Sequence, residues 1–102
     1  MISVKKLLLK TIEGTKLRIQ TAAITGFAPN AGGDATITTT LSISSGTPVG
    51  IVGYSLNGTR ASSCFVSELH LNGTSGSCTM KIHNTASSQA TVSAMVYILV
   101  RG

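Results

Sequence analysis

Thr47-Pro48-Val49-Gly50-Ile51-Val52-Gly53-Tyr54-Ser55-Leu56-Asn57-Gly58 carries a start signal, an apolar middle and a stop signal. Proline fixes φ and has no N–H to give to a ladder, so Pro48 suits the opening of a strand. Asn57-Gly58 supplies the positive φ values that tight hairpin turns need. Between them lies a segment with little polarity on either face, which predicts a strand inside a sheet, covered on both sides. Nothing in it is catalytic.

Working outward, the chain keeps alternating. From Lys16, the residues Leu17, Ile19, Thr21 and Ala23 alternate with Arg18, Gln20, Ala22 and Ile24, which predicts a first strand. Gly26–Asp34, with Pro29-Asn30 and Gly32-Gly33, reads as a loop. Ala35–Ile43 sets Ile37, Thr39, Leu41 and Ile43 against Thr36, Thr38, Thr40 and Ser42, the pattern of a half-buried antiparallel strand. After a polar connection or strand start at Thr59–Ser63, Cys64–Leu71 is the next strand, with Phe65, Ser67, Leu69 and Leu71 on one face and Cys64, Val66, Glu68 and His70 on the other. Asn72–Gly76 is a loop, and Ser77–Thr85 a strand turning Cys78, Met80 and Ile82 inward. The closing strand, Ala90–Arg101, becomes apolar on both faces, which places it deep in a sheet or at a subunit contact.

Six strands separated by turn signals predict an all-β fold over residues 15–102: an antiparallel β-sandwich with jelly-roll or Greek-key connections. A further short edge strand at Thr59–Ser63 or Phe27–Gly33 stays open. Residues 1–14 read as a short helix or arm, with Ser3 as cap and Val4, Leu7, Leu8 and Ile12 at helical spacing. So short a helix is marginal alone in water. The stripe therefore needs a partner, either the body of the domain or the same stripe in other copies.

At 102 residues the chain is one domain. Its charged fraction of 11% is low for a soluble domain, so a surface of Ser, Thr, Gly and Asn repels its copies only weakly. That predicts a surface partly hidden in a homo-oligomer; a monomer with a neutral hydroxyl skin is the alternative. Of the net charge of +5, residues 1–18 hold +4, from Lys5, Lys6, Lys10, Lys16 and Arg18 against Glu13. The remainder is nearly neutral and its aromatics are scattered, unlike a nucleic-acid-binding module. Lys10 cuts short the apolar run Leu7-Leu8-Leu9, so no secretion signal is expected, and no apolar stretch is long enough for a membrane span.

The stock of reactive side chains is small. A five-residue loop at Asn72–Gly76 sets Leu71 opposite Ser77, His70 opposite Cys78 and Cys64 opposite Asn84. The cysteines then stand about 20 Å apart along the ladder, at ~3.3 Å per residue, too far for a disulfide. Free thiols suit synthesis inside a cell. His70 and Cys78 are an incidental cross-strand pair, since zinc needs further ligands. No metal, cofactor or catalytic set is expected. Asn57-Gly58-Thr59 and Asn72-Gly73-Thr74 match the glycosylation pattern, but turn formation explains both.

The run Gly46-Thr47-Pro48-Val49-Gly50-Ile51-Val52-Gly53-Tyr54, the opening Val4–Leu8 and the closing Val96-Tyr97-Ile98-Leu99-Val100-Arg101-Gly102 resemble segments of small β-rich tail- and fibre-type proteins of Firmicutes gut phages and prophages. The resemblance implies a non-enzymatic virion protein of tail-fibre, baseplate or decoration kind, made in the bacterial cytoplasm and assembled as a homotrimer with other virion proteins. Val4, Leu7, Leu8, Ile12, Tyr97 and Leu99 are then expected at the oligomer interface. Loop residues Asn30, Asp34, Asn57, Arg60 and Asn72 are expected to face outward and to bind a host-surface glycan. The competing expectation is a soluble oligomeric binding protein that takes a glycan or small anion at its loops or subunit boundaries, or beside Lys81, His83 and Arg60.

Overall fold

The computed structural model describes residues 17–102. The chain forms β1 (Leu17–Phe27), β2 (Asp34–Thr40), β3 (Thr47–Thr59), β4 (Cys64–Leu71), β5 (Ser77–Asn84) and β6 (Thr91–Arg101), with one 3-10 turn at Ala61–Ser63. The helix or arm expected over 1–14 lies outside the described residues. The strands make two antiparallel three-stranded sheets, ordered β1-β6-β3 and β2-β5-β4. No helix among the described residues is long and apolar enough to cross a membrane.

β5 and β6 are the middle strands, and their alternation builds the core. Val92, Ala94, Val96, Ile98 and Val100 of β6 are at most 3% exposed, and Cys78, Met80 and Ile82 of β5 are fully buried. They belong to one cluster with Ile24, Phe27 and Leu41, so the sheets pack with these faces together. Each fully buried aliphatic side chain stabilises by about 1.5–3 kcal/mol, which makes this contact the dominant favourable term. β6 is thus deep in its sheet, as its two apolar faces predict.

β3 departs from expectation. It is an edge strand, hydrogen-bonded only to β6, and not a central one. Its glycines explain why both faces look apolar without being covered: Gly50 and Gly53 stand opposite Leu99 and Tyr97 and offer no side chain to a further layer. Bulges at Val49 and Val52 interrupt the ladder, leaving Pro48, Ile51 and Tyr54 on the inward side opposite Val100, Ile98 and Val96. Val49 and Val52 themselves are 45% and 55% exposed. Bulged edges resist pairing with other chains.

Asn57-Gly58 is not the turn either, since the two residues pair with Ser93 and Val92 inside the ladder. The reversal comes later, where Arg60 adopts left-handed φ 63 and accepts the Ser63 N–H on its carbonyl at 3.0 Å. Gly58 serves a close approach instead. At its φ of +127, a Cβ would sit 2.2 Å from the Thr91 carbonyl oxygen.

β2 ends at Thr40, short of the expected Ile43, although Leu41 stays buried. β1 runs on to Phe27 through a bulge after Ile24 that uses the positive φ of Gly26 and turns Phe27 into the core. β4 is bulged between Val66 and Glu68. Cys64 faces Asn84 as expected, but Leu71 faces Cys78 and His70 faces Thr79, one place along from the expected register. Both cysteines are free.

One end of the molecule is closed by Asn84, the one buried polar side chain among the described residues. Its Nδ2 donates to the carbonyls of Pro29 (3.1 Å), Asn30 (3.3 Å) and Ser88 (2.9 Å), while Oδ1 accepts the Ala86 N–H at 2.9 Å. At the other end Arg18 donates to the Ser45 carbonyl and Gln20 to the Ser42 carbonyl, joining β1 to the connection that follows β2.

Gly58→Ala should lower the unfolding free energy by roughly 1–3 kcal/mol through clash and backbone strain together. Gly73→Ala should cost less, because no atom lies within 4 Å of a Cβ there. Urea midpoints ranking the two the other way would count against the close approach. Asn84→Asp turns a donor into a carboxylate oxygen facing three carbonyls and should cost about 3 kcal/mol or more, against about 1–3 kcal/mol for Asn84→Ala. Equilibrium unfolding of both variants checks this.

Candidate functional site

The residues proposed for loop binding do not form one set. Asn30 and Arg60 lie at the Asn84 end and hold the connections together. The Asn30 carbonyl accepts from Gly33 N–H at 2.8 Å, and Arg60 donates to the Gln89 carbonyl at 2.9 Å. Asn72 belongs to the β4–β5 connection at the opposite end, where its Nδ2 donates to Thr79 Oγ1 at 2.9 Å. Asn57 stands in β3, and Asp34 opens β2. Arg60 is engaged with the Gln89 carbonyl, whereas Lys81 and His83 turn to Asp34.

Two sheet faces remain, and they differ in chemistry. The outer face of the first sheet takes Ile19 and Ala23 from β1 and Met95, Tyr97 and Leu99 from β6, with Ile19↔Leu99 and Ala23↔Met95 as cross-strand pairs. Tyr97 and Leu99 therefore do share one apolar surface. Ile19 is 55% and Met95 38% exposed. Opposite Tyr97, Gly53 brings no side chain to the half-buried ring, which a Cβ there would contact at 3.5 Å. Beside the ring is an open depression of about 300 Å³, lined by Ala23, Ser55, Asn57, Ser93, Met95 and Tyr97. The other proposed interface residues, Val4, Leu7, Leu8 and Ile12, lie outside the described residues.

The outer face of the second sheet is polar and ordered by its register. β5 is the middle strand, so each of its outward residues has a neighbour on both sides. His83 stands between Phe65 and Asp34, Lys81 between Glu68 and Thr36, and Thr79 between His70 and Thr38. Both carboxylates and both histidines of residues 17–102 are on this face. His83 Nδ1 donates to Asp34 Oδ1 at 2.6 Å, Lys81 Nζ lies 3.7 Å from Asp34 Oδ2, and His70 Nε2 donates to Glu68 Oε2 at 2.7 Å. The Phe65 and His83 rings meet at 5.2 Å with a 48° tilt, and Phe65 is still 50% exposed. The hydrogen bond from His83 holds the Asp34 carboxyl below its ordinary pKa; desolvation, the next effect in size, opposes it, and the charge of Lys81 adds to the lowering.

His70 and Cys78 are not a pair. The bulge at Ser67 moves His70 opposite Thr79, on the outer face, while Cys78 is fully buried behind the sheet. Burial pushes both thiols up, Cys64 as well as Cys78, which keeps them protonated and poor as nucleophiles or ligands. Among the described residues no three of His, Cys, Asp and Glu gather as a metal-binding group.

Comparison with family models, with curated proteins and with solved structures gave no match to this chain.

Strict alternation assigns Phe65 to the buried side with Leu69 and Leu71. The structure puts it outside, because the Ser67 bulge switches faces midway along β4. The signal in the sequence is Val66 and Leu69, two apolar residues three apart that are both packed against the core.

Since the Asp34 pKa is lowered in the fold, its contribution to stability is full above the ordinary carboxylate range and is lost as pH falls through the lowered value. Urea unfolding across that window should show wild type exceeding Asp34→Asn in stability near neutrality and the gap closing in acid. A gap independent of pH would mean that Asp34 acts through something other than its charge.

Proposed function

We propose that this chain is a non-enzymatic structural or host-recognition component of a phage particle, of tail-fibre, baseplate or decoration kind, whose copies close into a trimer. The observation that carries the self-assembly part is the outer face of the first sheet, where Ile19, Met95, Tyr97 and Leu99 form an apolar surface on a small chain. Covering such a surface with its counterpart in other copies gains hydrophobic free energy, and the low charge of residues 17–102 opposes that contact little. Identical subunits meeting in this way close by rotation.

Strand order supports the virion reading at the level of architecture. The order β1-β6-β3 facing β2-β5-β4 is compatible with a reduced jelly roll, the eight-stranded form of which is met in viral capsid and lectin domains. The resemblance of Gly46–Tyr54 and of the two chain ends to phage tail and fibre proteins points the same way. A second reading, a soluble oligomer that captures a glycan or small anion, is favoured by the depression beside Tyr97. With Ser55, Asn57 and Ser93 on its wall, it would lie at the rim of the subunit contact.

Light scattering of the full chain and of Leu99→Lys tests assembly. The full chain should be an oligomer at about 10 μM and the variant a monomer with an unchanged circular dichroism spectrum, because a charge in the contact costs several kcal/mol. A monomeric wild type overturns the proposal. A chain beginning at Thr15 that is monomeric beside an oligomeric wild type would assign residues 1–14 to the contact.

A further inference from the structure

From the outer face of the second sheet we infer that it is a binding platform for a neutral oligosaccharide, with Phe65 as its stacking surface. Phe65, His83 and Asp34 stand in one row across β4, β5 and β2; Glu68, Lys81 and Thr36 form the next, and His70, Thr79 and Thr38 the third. Strands about 4.8 Å apart, with same-face residues about 6.8 Å apart along them, make this an area of ~10 by ~14 Å. A short run of sugar rings has that footprint.

Three features decide what kind of ligand fits. The first is an aromatic ring half exposed at the corner of a polar surface: Phe65 is 50% accessible, and its neighbour in the row is an imidazole. A pyranose has one C–H-rich face that stacks on such a ring while its hydroxyls reach sideways, and around Phe65 the sideways groups are all polar. The second is charge. Asp34 and Glu68 against Lys81 leave this face at −1 with neutral histidines. Phosphates, sulfated polymers and nucleic acid, which need clustered positive charge, are disfavoured.

The third is rigidity. His83 is oriented by Asp34, His70 by Glu68, and Thr79 by hydrogen bonds at 2.9 Å to both Thr38 and Asn72, with Lys81 Nζ 3.7 Å from Asp34. Donors and acceptors therefore already hold fixed directions before a ligand arrives, which lowers the entropic cost of binding. Carboxylate, ammonium, imidazole and hydroxyl groups together offer both halves of the hydrogen bonds that sugar hydroxyls make. An apolar protein partner would bury those charges without compensation. This platform is on the sheet opposite the proposed subunit contact, so it stands whether or not the chain assembles.

The full-length protein, labelled with nitrogen-15, is titrated with chitotetraose, cellotetraose, maltotetraose and a β-galactotetraose, each to about 10 mM, ten times a weak Kd of about 1 mM. Sodium phosphate and a heparin tetrasaccharide serve as anionic probes. At least one neutral sugar should shift the amides of Phe65, Lys81, His83 and Thr36, with Phe65→Ala weakening binding about tenfold, the size of one lost aromatic stacking contact. Phe65→Ala should keep the wild-type urea midpoint, which separates lost binding from lost folding, and Phe65→Tyr should retain affinity. Shifts with the anions alone, shifts confined to the depression beside Tyr97, or no shift with any neutral sugar would each overturn the platform. The oligomeric state of the same samples, read by diffusion, reports separately on the assembly proposal.

Discussion

Everything in this fold depends on the contact between β5 and β6. The two strands follow one another in the chain, yet each is the middle of a different sheet, so the segment joining them carries the chain from one layer to the other. Their inward residues form the centre of a single buried cluster, to which β1 adds Ile24 and Phe27, while β2, β3 and β4 pack partly buried side chains against it. A middle strand must be apolar where it faces the core and supply backbone partners on both edges. β6 satisfies both demands with Val92 to Val100 inward and hydrogen bonds to β1 and β3. The connection that makes this possible has to be held tightly, and Asn84 holds it by bonding three carbonyls of two connections, β1–β2 and β5–β6, from a position with no access to solvent.

Much of this was legible in the sequence. Alternation located all six strands within a few residues, because regular stretches such as Val92–Val100 and Cys78–Ile82 obey a period of two with no exception. Legibility failed where a bulge inserts a residue. Ile24 and Phe27, Pro48 and Ile51, and Val66 and Leu69 are each three apart and on the same side of their strand, which strict alternation forbids. Asn57-Gly58 misled for a related reason. The dipeptide is a turn signal because glycine accepts positive φ, but the same freedom serves wherever another strand's carbonyl comes too close for a side chain.

The two outer faces were legible to different degrees. Tyr97 and Leu99 stand two apart in a strand with an apolar inward set, so their common face follows from the sequence. Phe65 beside His83 and Asp34 does not. Phe65 is 18 positions from His83, and His83 is 49 from Asp34, and only the ladder register brings them into one row. Carboxylate and imidazole side chains carry no periodicity of their own, so pairing across strands is invisible until the strands are aligned.

The two ends of the molecule are built under different constraints, and this bears on how the chain can diversify. Around Asn84, the connections Ala28–Gly33, Arg60–Ser63 and Thr85–Ala90 share hydrogen bonds, so a change of length in one disturbs the other two. At Asn72–Gly76 a side chain built on Gly73 would meet nothing within 4 Å, while Asn72 bonds Thr79 and Gly76 bonds Leu41. Residues inserted or randomised between Asn72 and Gly76 would leave those two anchors in place. That hairpin is the natural place to graft a foreign epitope or to build a display library on this scaffold, while the Asn84 end serves as the fixed frame that carries it.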